Sequence, residues 1–185
     1  MVDGRKSRCR SERRAASPYR KPFVFDWDRF VTDHGPPTLR LACRILGHGP
    51  DAEDVVQDAF LQVYLIGQNE EVASWGGLLH RAVLHRSLDR LRRRRANPPL
   101  ADEPHSREDD PQETAAAREL ADRLRQAIGW LPQRQAAAFC MRYFDDQPYE
   151  QIAENLGVPV GAVASALHKA RGKLKSMLAV SVKED

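Results

Sequence analysis

The feature that most constrains this 185-residue chain is an acidic, proline-bearing interruption near its middle. Between Ala96 and Ala117 six carboxylates (Asp102, Glu103, Glu108, Asp109, Asp110 and Glu113) stand against Arg107 alone. Pro98, Pro99, Pro104 and Pro111 fall in the same stretch. Proline removes a helical N–H and like charges repel, so such a segment extends instead of packing. We therefore expect a flexible linker over 97–117 that joins a first domain, 23–96, to a second, 118–181. Ahead of them, 1–22 carries eight basic residues against Asp3 and Glu12 and has little apolar content, which reads as a disordered basic arm.

Both blocks read as helical. Val56, Phe60 and Val63 recur at helical spacing, with Asp51, Asp54 and Asp58 on another face. Leu79, Val83, Leu84, Leu88 and Leu91 supply an apolar stripe to a second helix whose other faces hold Arg81, Arg86, Arg90 and Arg93. Before these, Phe30–Asp33 and Thr38–Leu46 are expected as two short helices broken at Gly35-Pro36-Pro37. After the linker, Glu113–Gly129, Pro132–Phe144, Pro148–Leu156 and Val160–Leu178 are four more candidates. No alternating strand pattern of useful length is present. The expected fold class is all-α: two small helical domains, the C-terminal one a helix-turn-helix.

Several function classes are excluded early. The longest run without a charge, Asn155–His168, is 14 residues and is interrupted by Gly157, Pro159 and Gly161. A membrane span needs about 20 apolar residues, so membrane insertion is not expected. The three cysteines, Cys9, Cys43 and Cys140, are far apart and lack zinc spacing, so neither a disulfide framework nor a metal site is expected, and the compartment is the reducing cytosol. An enzyme with Asp51, Asp54 and Asp58 or Asp145-Asp146 on magnesium would need a phosphate loop or a matching second carboxylate cluster, and neither is present. No catalytic residue and no cofactor is expected.

The clearest local signal lies near the C-terminus. Ile152-Ala153-Glu154-Asn155-Leu156-Gly157-Val158, followed by Val163 and Leu167, has helix-turn-helix spacing. Ala153 is small where two helices approach, Gly157 permits a left-handed turn, and the aliphatic residues fill the space between the helices. The second helix would present Ser165, His168, Lys169, Arg171 and Lys173 to a DNA groove or its phosphates. The bland alternative is a helical hairpin with a basic end that complements the helix dipole.

Taken together, the two blocks resemble a known family. Asp51-Ala52-Glu53-Asp54-Val55-Val56-Gln57-Asp58-Ala59-Phe60 is similar to the D-A-E-D-x-x-Q-x-x-F signature of extracytoplasmic-function (ECF) sigma factors of bacterial RNA polymerase. Leu131-Pro132, Arg142-Tyr143, Glu150–Gly157 and Gly161…Val163…Ser165…Leu167-His168 resemble the family's second conserved domain, and Leu79…Arg81…Asp89…Arg92 the helix between.

The resemblance implies a transcription initiation factor whose first domain docks on core RNA polymerase and helps open the −10 element. Its second domain would read the −35 element of promoter DNA. An anti-sigma factor is a further partner that the resemblance leaves open. Asp51, Glu53, Asp54, Gln57 and Asp58 would meet the polymerase, giving steering and register. Trp75, His85, Arg86, Asp89, Arg90 and Arg93 would face −10 DNA, with Trp75 as a stacking platform or, equally, a core residue. Ser165, His168, Lys169, Arg171 and Lys173 would face −35 DNA. The chain departs from the family at Ala162, Ala164 and Ala166, where polar or basic residues are common, and Ala166 is expected at the groove-facing edge outside the core. The competing reading is a helix-turn-helix regulator acting without core polymerase, against which the acidic helix and its spacing to the arginine helix both count.

Overall fold

The computed structural model describes residues 25–47, 49–69, 72, 74–96 and 114–181. The expected basic arm and most of the expected linker, 97–113, lie outside the described residues. The chain runs through α1 (Trp27–Leu46), α2 (Gly49–Asn69), α3 (Trp75–Ala96), α4 (Ala115–Trp130), α5 (Gln133–Tyr143), α6 (Tyr149–Leu156) and α7 (Val160–Ser181). No strand occurs among the described residues. Thr114 caps α4 by accepting from the Ala117 N–H, so helix begins at Ala115, two residues before the expected end of the linker at 117.

The first domain is a three-helix unit in which α1, α2 and α3 all pack on one another. Its core holds Leu41, Ala42, Ile45, Ala59, Val63, Leu79, Val83, Leu84 and Leu88. The expected break at Gly35-Pro36-Pro37 is absent, and α1 is one helix through both prolines. The Thr38 hydroxyl donates to the His34 carbonyl at 2.6 Å and the Gly35 carbonyl at 3.0 Å beside the proline step. Phe30 on one side of the prolines and Leu41, Ala42 and Ile45 on the other are all buried. Tertiary packing therefore outweighs the lost backbone hydrogen bonds.

In the second domain α7 packs on α4, α5 and α6. The turn between α6 and α7 is made by Gly157 at φ 63°, whose N–H bonds back to the Glu154 carbonyl at 3.2 Å. Ile152, Ala153, Val163 and Leu167 are buried on either side of this turn, as the sequence spacing requires. Cys43 and Cys140 are unbridged; Cys9 lies outside the described residues.

The two domains are not separate bodies. α3 packs on both α4 and α5, and the buried side chains of the two domains form one continuous cluster. The run Arg92–Arg95 makes much of this junction. Arg92 donates to the Leu131 carbonyl at 3.2 Å, and Arg95 donates to the Gly129 carbonyl at 3.1 Å. The Arg95 guanidinium also lies 3.7 Å from the centroid of the Trp130 ring. Cations thus meet the carbonyl-rich C-terminal end of α4, the arrangement a helix dipole favours. On the other flank Arg125 donates to the Arg44 carbonyl, Arg44 to the Phe144 carbonyl, and His80 Nε2 lies 2.8 Å from Asp145 Oδ2.

Burial pushes the Asp145 carboxyl up, but the His80 hydrogen bond and charge, the Gln147 amide and Arg44 outweigh it and leave its pKa below the ordinary carboxylate value. Asp145 is thus ionised throughout the neutral range. Its contribution to the junction is therefore complete above the ordinary carboxylate pKa and is lost only as acid passes through the depressed value.

A closed pair of domains makes a definite prediction. Cleavage at a protease site inserted within 97–113 should leave two fragments that still co-elute on gel filtration. The same cut in a chain carrying Arg92→Ala, Arg95→Ala and Asp145→Ala should release two separate helical fragments. Immediate separation of the unsubstituted fragments would show that the junction does not hold in solution.

Candidate polymerase and nucleic-acid interfaces

α2 presents an acidic outer face. Glu53, Asp54, Gln57 and Asp58 are exposed there, while Val55, Val56, Ala59 and Val63 point into the core. Asp51 differs from its neighbours and from the expectation that placed it on this face. It is buried, with Arg90 at 2.7 Å on Oδ1 and Arg94 on Oδ2. Its position in the first turn directs it across to α3, where two guanidinium groups neutralise it. Asp51 is accordingly a tie between α2 and α3.

The acidic face also continues further than the signature indicated. Leu61 and Leu65 are 61% and 60% exposed, and Tyr64 beside them is 42% exposed. Asp54, Asp58, Leu61 and Leu65 follow one another at four, three and four residues, so they share a face. Exposed leucines at helical spacing beside a charged signature were the available signal in the sequence.

On α3 the apolar stripe is buried as expected, and His85, Arg86, Asp89, Arg90 and Arg93 lie on its outer side. They are not equally free. Arg86 bonds Asp58 and Gln62, both at 3.2 Å, and Arg90 holds Asp51. His85 lies 3.4 Å from the Gln133 amide of α5. Arg93 makes no hydrogen bond or ion pair with the described residues. Trp75 sits in an aromatic cluster, its ring centroid 4.4 Å from Phe25 and 5.8 Å from Trp27. A Cβ placed on Gly67 would come within 1.8 Å of the Trp75 ring, so the indole rests directly on that backbone. The geometry gives Trp75 a packing role; its stacking role has no support from exposure.

On α7, Ser165, His168, Lys169, Arg171 and Lys173 are all exposed, and Val163, Leu167, Ala170 and Leu174 are buried beneath them. Ala162 and Ala164 are exposed too. Ala166, expected at the outer edge, is half-buried and packs against the core. It stands one turn from Val163 and Ala170 and so follows the inner stripe.

Two family descriptions match this architecture. Residues 30–97 match Sigma-70 region 2, and residues 121–174 match Sigma-70, region 4. The chain is 32% identical over 182 residues to the ECF RNA polymerase sigma factor SigM of Mycobacterium tuberculosis, covering 95% of this chain and 87% of that one. It is 33% identical over 158 residues to the ECF sigma factor SigE of Mycolicibacterium smegmatis, covering 83% of this chain but 62% of the relative. The chain belongs to the ECF sigma factors.

Among solved structures, the sigma factor RpoE of Bartonella quintana, crystallised with the anti-sigma factor NepR, is similar in fold. That likeness has a TM-score of 0.55 at 19% identity and covers 84% of this chain and 98% of that one. In this sigma factor, then, region 2 is α1–α3 and region 4 is α4–α7, with α6 and α7 as the helix-turn-helix. No helix among the described residues is long and apolar enough to cross a membrane.

The different situations of Asp51 and Asp54 can be separated by measurement. Asp51→Ala leaves two guanidinium groups without their partner and should lower stability by about 1–3 kcal/mol, seen as a lower thermal midpoint. Asp54→Ala on the same helix should change stability by no more than about 0.5 kcal/mol and leave the midpoint almost unmoved.

Proposed function

We propose that this ECF sigma factor is a non-catalytic initiation subunit that binds core RNA polymerase through the outer face of α2 and directs it to promoters. The observation that carries the reading is the stripe Asp54, Gln57, Asp58, Leu61 and Leu65, which is solvent-facing although three core helices are already fully packed without it. Acidic groups supply steering toward a basic partner, and the two leucines supply apolar area that becomes buried on docking. Glu53 flanks the stripe, and Asp51 acts beneath it by fixing α2 on α3.

The DNA-facing groups follow from the same placement. His85, Arg86, Asp89, Arg90 and Arg93 on α3 lie where a melted −10 strand would pass, with Arg93 the least engaged in the closed chain. Trp75 serves this surface by setting the start of α3. Ser165, His168, Lys169, Arg171 and Lys173 on α7 would contact −35 duplex, with base-edge readout resting on Ser165 and His168 and phosphate contacts on the cations. A factor that acts on the cell's polymerase would do so in the cell interior. The likeness to RpoE, crystallised with the anti-sigma factor NepR, supports an anti-sigma protein as a further partner. A helix-turn-helix regulator acting alone would not require the exposed leucines of α2.

Co-purification with core polymerase tests the reading. Asp54→Arg with Asp58→Arg should abolish co-elution while the helical circular dichroism signal persists, and so should Leu61→Glu with Leu65→Glu. Co-elution retained by both double variants would overturn the α2 interface. On α7, the exposed Ala164→Arg adds a cation on the outer surface and should strengthen duplex binding and steepen its salt dependence by up to about one unit. Lys169→Ala should weaken binding to all sequences alike. If neither substitution changes affinity, α7 does not dock on DNA.

A further inference from the structure

Between the two domains lies a cleft of about 710 Å³. One wall is the outer side of α3 with Val55, Asp58 and Gln62 of α2, and the other is the first turns of α5 with the end of α6, contributed by Gln133, Arg134, Ala137, Asn155 and Leu156. Five arginines line it, Arg81, Arg86, Arg90, Arg93 and Arg134, against two aspartates, Asp58 and Asp89. Four of the arginines come from α3 and the fifth from the second domain. Arg81, Arg93 and Arg134 are exposed and make no hydrogen bond or ion pair with the described residues. Arg86 is held only by a 3.2 Å pair with the exposed Asp58 and a 3.2 Å bond to Gln62.

Arg90 is already paired with Asp51 at 2.7 Å, but Arg81, Arg93 and Arg134, drawn from two domains, have no ion-pair partner among the described residues, and their like charges repel. A ligand that supplies several negative charges removes the repulsion and gains the forked hydrogen bonds that guanidinium groups make to phosphate. Arg81 and Arg93 are twelve residues apart on one helix, which spreads the positive charge over about 18 Å. That suits a chain of phosphates better than a single one. The volume falls within the range of small-molecule pockets.

We propose that the cleft between the domains binds a small polyphosphate anion, and that the bound anion holds the sigma factor closed. The ligand contacts both walls, so it binds the closed chain in preference to the open one and shifts the balance by its differential affinity. Arg86, Arg90 and Arg93 also belong to the surface proposed for −10 DNA, so the anion and a promoter strand compete for them. The site does not rest on the polymerase reading, because its occupancy is measured with the free chain.

The test is isothermal titration of the full chain with sodium tripolyphosphate. One anion should bind per chain, with affinity falling as salt rises. Arg134→Ala and Arg81→Ala, each an exposed and unbonded side chain, should weaken binding by at least about tenfold. Arg92→Ala with Arg95→Ala, outside the cleft but in the domain junction, should weaken it too. Lys175→Ala, exposed on α7 away from the cleft, should leave it unchanged. A second titration with adenosine triphosphate distinguishes the sources: equal affinity identifies the phosphate chain as the ligand, and tighter binding adds the nucleoside. Binding unaffected by Arg134→Ala, or weakened equally by Lys175→Ala, would overturn the proposal, because the anion would then be held by overall charge alone.

Discussion

The structure depends above all on how the four consecutive arginines at the end of α3 are distributed. Successive residues of a helix point about 100° apart, so Arg92–Arg95 cover its whole circumference. One side of α3 is already committed to the core by Leu84, Leu88 and Leu91. Arg94 and Arg95 continue that inner stripe, and they turn to different neighbours. Arg94 reaches Asp51 and the last carbonyl of α1, Leu46, at 3.3 Å. Arg95 and Arg92 reach the end of α4. Arg93 is the one of the four that makes no hydrogen bond or ion pair with the described residues. The same tetrad thus closes the first domain on itself and fastens the second domain to it. Each contact is partly exposed and individually modest, and all of them are carried by one rigid helix.

This arrangement explains which parts of the chain were legible in its sequence. The helix-turn-helix was, because Ala153, Gly157, Val163 and Leu167 are each required by local geometry and their spacing alone fixes the motif. The acidic signature of α2 was legible as a surface, since Glu53, Asp54, Gln57 and Asp58 are solvent-facing. Asp51 was not, because its fate is set by Arg90 and Arg94, some forty residues away, and no local pattern records that pairing. The continuity of α1 was hidden for the same reason: Pro36 and Pro37 are strong local breakers, and what overrides them is burial of residues on both sides. Trp75 was ambiguous in sequence and is resolved only by Phe25, Trp27 and Gly67 meeting around it. Four arginines in succession on a half-buried helix already require some to face protein, but which of them do so is set by the ends of α1 and α4, which no local pattern records.

The closed form has a geometric consequence for the proposed function. The −10 and −35 elements are by their positions some 25 base pairs apart, about 85 Å of duplex at 3.4 Å per pair. A compact chain of this length has a radius of gyration of only about 16 Å. With α3 and α5 in contact, the two reading surfaces cannot engage both elements of one promoter at once. The seventeen residues between Ala96 and Thr114 reach at most about 60 Å when extended. That reach, added to the breadth of the two domains, spans the required distance. The connection is therefore long enough for the domains to part, and parting would break the junction at Arg92, Arg95, His80 and Asp145.

Opening exchanges one set of partners for another, which limits its cost. On separation Arg92 and Arg95 lose the carbonyls of α4, yet both then lie beside the arginines proposed to follow a DNA strand. Phosphates can take the place of Gly129 and Leu131 as acceptors, and charge-assisted bonds to phosphate are stronger than bonds to neutral carbonyls. Trp130, 61% exposed even in the closed form, loses its cation–π partner but little buried area. Asp51 stays between Arg90 and Arg94 throughout, since its ties lie wholly within the first domain. The arginine tetrad thus has one inward member that keeps α3 on its own domain in either state. Two others are free to trade a protein partner for a nucleic-acid one, so the helix that fastens the closed chain is also suited to stabilise the open one.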